Sequence, residues 1–274
     1  MSRFVDKKMH ICFIQKQAFP YFGIMSLSGF LRENDIETDV LITNSEKDFI
    51  SELRRIGPDA VGISALTMEH SWLRKTSHQI KNTFPNIPII VGGIHAILYP
   101  EAILKIPEVD YVCTGEGEKT MLTFCNAVIN GGNCESIKGI GYKKNGEAVI
   151  NEREPLLENI SNSFEDRYIY YNRYSLLKDD ELKQFIASRG CPYKCSFCFN
   201  EQLQNTFKTK GKYIRMKTPE HLIEEILRLR NISIIKSIFF ADDLFTMNKK
   251  WLKSFAPMYK EKVNIPFMCV TRAD

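Results

Sequence analysis

The 274-residue chain is 44% hydrophobic and 26% charged, with a formal charge of +4 spread along its length, a water-soluble make-up too mildly basic to argue for nucleic acid. Its length exceeds that of the usual compact domain, so two domains are expected, with a boundary near the middle. The longest apolar run, 87–99, is interrupted by Pro88, Gly92, Gly93 and His95 and falls short of the ~20 residues that cross a bilayer, so no membrane association is expected.

The stretch Met1–Lys8 is polar and lacks the apolar run of a signal peptide, which predicts a cytoplasmic protein. From His10 to Asn130 short apolar runs alternate with longer amphipathic ones, the mark of a doubly wound parallel sheet. Strands are expected at His10–Ile14, Thr38–Leu41, Ala60–Ser64, Ile87–Val91 and Tyr111–Thr114. Helices are expected at Gly23–Asn34, Glu46–Ile56, Met68–Phe84, Pro100–Lys105 and Glu118–Asn130. This is the pattern of an α/β, Rossmann-like or flavodoxin-like domain, assigned to 1–136. Ile140–Lys143 and Ala148–Asn151 then flank Asn145-Gly146, a dipeptide that accepts positive φ and so predicts a hairpin. With the aromatic, poorly periodic segment Glu152–Leu182 it makes a hairpin and linker, 137–182.

The remainder, 183–274, again alternates β and α: a strand Gln184–Ser188, a cysteine loop Arg189–Asn200 and a Lys-rich, mobile loop Thr206–Lys217. There follow a helix Pro219–Arg230 capped by Thr218, a strand Ser237–Phe240, a helix Lys249–Lys260 and a strand Pro266–Val270. Three strands cannot close a barrel, so an incomplete β/α domain is expected, with Asp274 falling just after its third strand.

Eight cysteines in a chain of this size do not suggest a disulfide framework. Cys12, Cys113, Cys125, Cys134 and Cys269 stand singly and read as small buried residues. Cys191, Cys195 and Cys198 form Cys-x3-Cys-x2-Cys within one loop, a spacing with which three thiolates can ligate three irons of a cubic [4Fe–4S] cluster and leave the fourth iron open. A closed zinc site is the competing reading and wants a fourth ligand; the next candidate, His221, lies 23 residues beyond Cys198 in an expected helix. Reduced, unligated thiols are the third.

Ser188-Arg-Gly-Cys-Pro-Tyr-Lys-Cys-Ser-Phe-Cys-Phe-Asn200 resembles the radical S-adenosylmethionine superfamily in its triad, in the aromatic Phe197 and in its place after a first strand. The resemblance implies that Cys191, Cys195 and Cys198 ligate the cluster, that Phe197 and the backbone at Phe199 lie near the adenine, and that reductive cleavage of S-adenosylmethionine yields a 5′-deoxyadenosyl radical. Phe240-Ala-Asp-Asp-Leu-Phe245 looks like the acidic motif that meets the methionine amino group, with Asp242 and Asp243 as candidates; a turn cap is the alternative for either. Arg215 and Arg272 are positioned to pair with a carboxylate or phosphate, or to remain at the surface.

In the first domain, ligands are expected beyond the carboxyl ends of the strands. The loops there are Ser64-Ala-Leu-Thr67, Gly92-Gly-Ile-His95 and Gly115-Glu-Gly-Glu118, whose glycines Gly92, Gly93, Gly115 and Gly117 admit a large flat ligand or serve tight turns. The loops, with Pro100-Glu101, Asp110-Tyr-Val, the hairpin and Ser188-Arg-Gly-Cys191 behind them, resemble the cobalamin-binding radical S-adenosylmethionine enzymes over nearly the whole chain. The resemblance implies a corrinoid contacted by Ser64, Thr67, Gly92, Gly93, Gly115, Glu116 and Gly117. Cobalamin domains commonly carry Asp-x-His-x-x-Gly after the first strand; here Gln15-Lys-Gln-Ala-Phe-Pro-Tyr-Phe-Gly23 has no histidine, as in many members of the radical family. His95 reads as a hydrogen-bonded loop residue or a substitute ligand to cobalt. A Gly-x-Gly-x-x-Gly fingerprint, a Walker motif and a Gly-x-Ser-x-Gly elbow are missing, which disfavours nicotinamide binding and nucleotide hydrolysis.

The fold implied is a cobalamin-type Rossmann domain followed by the first half of a radical S-adenosylmethionine β/α partial barrel. The activity implied is radical methylation of an unactivated carbon on a small-molecule or natural-product substrate, with a flavodoxin or ferredoxin as electron donor. Cyclisation or rearrangement with a non-cobalamin Rossmann domain, and cofactor binding without turnover, are the alternatives.

Overall fold

Strand β1, His10–Gln15, is buried at every position after His10, as a strand covered on both faces must be. A computed structural model describes residues 8–273 and divides after Glu154 into two compact units. Most of the polar stretch Met1–Lys8, and Asp274, lie outside the described residues.

In the first unit β1 is followed by α1 (Phe22–Arg32), β2 (Glu37–Ile42), α2 (Phe49–Ile56), β3 (Ala60–Ser64), α3 (His70–Thr83) and β4 (Ile89–Gly92). Then come α4 (Ile94–Leu98), α5 (Pro100–Leu104), β5 (Tyr111–Cys113), α6 (Gly117–Ile129), β6 (Ile140–Lys144) and β7 (Glu147–Ile150). The sheet order is β2-β1-β3-β4-β5-β6-β7, parallel through β5 and antiparallel at the last two strands. Strand order reverses at β1, which pairs with β2 on one side and β3 on the other, so the carboxyl ends of β1 and β3 open the crevice where such sheets take ligands. Alternation decides which residue meets which layer: Cys12, Ile14, Val61, Ile63, Ile89 and Val91 pack with Leu53 of α2 and Leu73 and Ile80 of α3.

One local feature departs from expectation and one follows it. The segment after β4 forms two short helices instead of one, because Gly93 turns the chain at φ +92° into α4 and Pro100 begins α5. The Asn145-Gly146 turn has φ of 53° and 84°, the hairpin expected, and the hairpin joins the edge of the first sheet through β5 and β6.

The second unit contains α7 (Tyr168–Tyr171), α8 (Ser175–Asp179), β8 (Leu182–Phe185), β9 (Ser188–Arg189), α9 (Asn200–Thr206) and β10 (Arg215–Met216). It continues with α10 (Pro219–Arg230), β11 (Ser237–Phe240), α11 (Lys249–Lys262) and β12 (Phe267–Cys269). Strands β12-β11-β8 form a parallel sheet, backed by an aromatic cluster of Phe240, Phe245, Trp251, Phe255, Tyr259 and Phe267. The aromatic segment read as a linker is partly internal, since Tyr170 is fully buried. The strand expected at Gln184–Ser188 divides in two: β8 stays in the sheet, while β9 leaves it to pair with β10. The Lys-rich loop is thereby pinned at its far end. Lys183 is buried and donates to the Leu177 and Lys178 carbonyls at 3.1 and 2.7 Å, closing the carboxyl end of α8.

Candidate functional site

Two separate sets of candidate residues stand in the two units. In the second, the cysteine loop begins at Gly190, whose φ is +85° and where a Cβ would lie 2.7 Å from the Tyr213 carbonyl oxygen, so only glycine fits. Gln204 of α9 donates to the Cys191 carbonyl at 2.7 Å, and the Cys198 amide donates to the Cys195 carbonyl at 2.9 Å, which turns the loop back on itself. Cys191 is buried and Cys195 and Cys198 half-buried. Burial raises the Cys191 thiol above its ordinary range; a hydrogen bond from the Tyr193 backbone opposes this, and the charges of Asp243, Cys198 and Cys195 add to it.

Asn200, 3% exposed at the start of α9, places its side-chain nitrogen 3.4 Å from the Cys198 sulfur and 3.0 Å from an Asp243 oxygen, and its oxygen accepts from the Tyr213 hydroxyl at 2.9 Å. Arg272 lies with its guanidinium 3.9 Å from the Tyr193 ring centroid and a nitrogen 3.7 Å from the Cys195 sulfur. Phe197 is 93% exposed and Phe199 half exposed, both free to cover a ligand.

The two adjacent aspartates have different fates. Asp242 is buried and accepts from the Ala187 amide at 3.1 and 3.0 Å and from the Ser188 hydroxyl, so its carboxylate holds the turn from β8 into β9. Burial raises its carboxyl above the usual range against those hydrogen bonds. Asp243 is exposed and, with one oxygen on Asn200, is the carboxylate that a cation can reach. Arg215 is buried and donates to the Leu157 carbonyl at 2.8 Å.

In the first unit the named loops follow β3, β4 and β5. At Gly92 a Cβ would meet nothing closer than Cys113 at 4.0 Å, leaving open space. At Gly93 it would lie 3.2 Å from the Ala65 carbonyl oxygen and 3.3 Å from the Ser64 hydroxyl. Gly117 has another reason: a Cβ there would come within 2.8 Å of Leu27, so this glycine lets α6 approach α1. Glu116 precedes α6, and Gly115 is half-buried beside it. Thr67 is exposed, flanked by Leu66 and Met68, of which Met68 is 85% exposed. Phe19 and Tyr99 are exposed on the loops after β1 and α4, so this edge offers carbon and backbone more than charge.

Beneath it lies a polar layer. Glu69, 1% exposed, accepts from the Leu66 amide at 3.0 Å and from Gln17 at 3.2 Å, and buried Glu118 accepts from Ser26 at 2.9 Å. His95 is buried at the head of α4 with one ring nitrogen 3.0 Å from His70, and burial, then the His70 charge, lowers its pKa.

Neither Asn200, Gln204 nor Tyr213 stands out in the sequence; an asparagine two residues after the last cysteine of the triad is the one available signal. Among the described residues no three His, Cys, Asp or Glu side chains converge on a point that would hold a single metal ion. A cubic cluster takes each thiolate on a different iron, so its ligands need not converge on one point. Three thiols on one pinned loop are a donor set of the kind it takes.

Residues 16–124 match the family model of the B12 binding domain, and residues 185–273 that of the Radical SAM superfamily. The chain is 32% identical over 245 residues to an uncharacterised methyltransferase of Pyrococcus horikoshii, spanning 84% of this chain and 50% of that protein. It is 27% identical over 252 residues to the anaerobic magnesium-protoporphyrin IX monomethyl ester cyclase of Rubrivivax gelatinosus, spanning 85% and 43%. Its fold is similar to that of the cobalamin-dependent S-adenosylmethionine radical enzyme OxsB, with aqua-cobalamin and S-adenosylmethionine bound, at a TM-score of 0.77 and 18% identity over 95% of this chain and 38% of that one. The chain therefore spans half or less of the length of these relatives.

Proposed function

We propose, from the premise that this chain belongs to the radical S-adenosylmethionine proteins with an amino-terminal B12-binding domain, that it forms the cofactor-binding portion of a radical methyltransferase. The observation that carries the reading is the pinned loop with Cys191, Cys195 and Cys198, in a chain whose other unit has the B12-binding fold. When bound, a [4Fe–4S] cluster would supply the electron that cleaves S-adenosylmethionine, and a corrinoid would carry the methyl group.

The chain's own residues bind and orient. Cys191, Cys195 and Cys198 ligate the cluster. The exposed rings of Phe197 and Phe199 would shield the adenine of bound S-adenosylmethionine, and exposed Asp243 would meet the ammonium of its methionine moiety. Buried Asp242 keeps β9 in place beneath the loop. In the first unit, the backbone at Gly92, Gly93 and Gly115, with Ser64, Thr67 and Glu116, would lie against a bound corrinoid; Gly117 serves helix packing first. A small-molecule substrate, a flavodoxin- or ferredoxin-type electron donor and a cytoplasmic location complete the proposal. No helix among the described residues is long and apolar enough to cross a membrane.

A second reading, cyclisation, is favoured by the likeness to the magnesium-protoporphyrin cyclase.

The test is electron paramagnetic resonance of the anaerobically reconstituted, reduced protein, with and without S-adenosylmethionine, beside a Cys195→Ala control. A reduced-cluster signal that changes on adding S-adenosylmethionine and disappears in the control is expected. A wild-type protein without iron, in this chain and in a full-length form alike, overturns the reading.

A further inference from the structure

Asn200 is an amide with all of its hydrogen-bonding groups committed, held in a buried place. Its nitrogen has two N–H groups, and two acceptors stand beside it: the Cys198 sulfur at 3.4 Å and the Asp243 carboxylate at 3.0 Å. Its oxygen takes the hydroxyl of Tyr213 at 2.9 Å. The opposite orientation would turn the amide oxygen toward a sulfur and a carboxylate, both electron-rich, so the surroundings allow only one. Tyr213 is itself anchored, for its carbonyl oxygen stands at the place that only a glycine at Gly190 leaves free, at the mouth of the loop.

A donor fixed in this way against a ligand sulfur has a chemical consequence. Hydrogen bonds to the sulfurs of an iron–sulfur cluster draw off electron density and raise its reduction potential. Asn200 itself is buried, and a hydrogen bond made in less polar surroundings counts for more. From this geometry we infer that Asn200 is a positioning residue that raises the reduction potential of the cluster by donating to Cys198, with Tyr213 locking the amide in the donating orientation. The inference rests on the cluster reading above and adds to it residues outside the cysteine motif.

The experiment is a redox titration of the anaerobically reconstituted chain, followed by electron paramagnetic resonance, on wild type, Asn200→Leu, Tyr213→Phe and Gln202→Ala, with iron content measured for each. Asn200→Leu removes the donor without adding charge. At the potential where wild type is half reduced, it is expected to have a reduced-to-oxidised ratio about tenfold lower, which for a one-electron couple is ~59 mV. Tyr213→Phe keeps the donor but releases its orientation, and a ratio about threefold lower is expected. Gln202→Ala, on the exposed side of α9, is expected to match wild type.

Full iron content with unchanged potentials in Asn200→Leu and Tyr213→Phe overturns the inference and leaves the cluster reading intact. If Asn200→Leu takes up no iron, Tyr213→Phe decides: a lowered potential supports the inference and an unchanged one overturns it. If this chain takes up no iron, the same titration is made on a full-length form, and a wild type without iron in both overturns both readings.

Discussion

In the loops after the strands of the first sheet, what is exposed is mostly backbone and carbon, at Gly93, Leu66, Met68, Phe19 and Tyr99, while Glu69, Glu118 and His95 are buried. The cysteine loop of the second unit adds donor atoms to its exposed rings: half-buried Cys195 and Cys198 and an exposed Asp243 carboxylate, held by the side-chain bonds of Asn200, Gln204 and Tyr213. The first surface suits a large flat ligand recognised by shape, for which missing side chains matter as much as present ones. The second suits a group recognised by donor atoms, for which identity and spacing are everything. The contrast explains why a triad can be read from spacing while a cradle is seen only as scattered glycines.

Selective loading is the strongest way to break the comparison. Cys195→Ala is expected to lose nearly all iron while keeping corrinoid binding, whereas Gly93→Val loses corrinoid affinity by tenfold or more and keeps its iron. Iron and cobalt analysis of the two variants after reconstitution checks both; loss of both cofactors in either would show that the sites do not load independently.

Beside its aromatic core the second unit holds a buried ion-pair cluster. Lys217 is buried and lies 2.8 Å from Glu165 and 2.7 Å from Glu225. Burial opposes its charge, but the two carboxylates outweigh that and raise its pKa. Lys217→Met leaves Glu165 to Arg167 at 2.8 Å and buried Glu225 to the longer His221 contact at 3.4 Å, at an expected cost of about 3 kcal/mol. Urea unfolding followed by the fluorescence of Trp251, which donates to the Lys217 carbonyl at 2.7 Å, measures it.

Gly93→Val should cost less, about 1–3 kcal/mol, from a β-branched residue placed at positive φ with its Cβ against the Ala65 carbonyl. Urea titration without cofactors separates this strain from its effect on binding.

The smallest effect is expected at His95. Its pKa is lowered, by burial first and by His70 second, so the folded state binds fewer protons there than the unfolded one. Its contribution is present above the ordinary imidazole value of 6.5 and is lost as pH falls through the lowered folded value. Acidification below pH 6.5 should therefore destabilise wild type more steeply than His95→Gln, as urea midpoints at successive pH values would show.

Strand alternation and helix periodicity are local properties, which is why β3 begins and ends where the pattern of Ala60–Ser64 predicts and Thr218 caps α10 by accepting from the His221 amide at 3.2 Å. Boundaries moved where long-range pairing intervened: β9 leaves the run Gln184–Ser188 because β10, in a loop with no strand signal, pairs with it. The same holds for single residues. Asp242 and Asp243 are alike in sequence and adjacent, yet one is enclosed by Ala187 and Ser188 and the other faces solvent. Gly117 looks like a ligand-cradling glycine until Leu27 of α1 is brought against it.

By itself, then, the sequence determined the α/β alternation, the hairpin at Asn145-Gly146 and the spacing of the three cysteines, because each is set by residues near one another in the chain. Only the tertiary structure decided which aspartate is buried, which glycine serves packing, and that Tyr213 and Asp243 meet Asn200 beside Cys198. Those are contacts between residues 13 to 90 apart along the chain, and a pattern of neighbours carries no information about them.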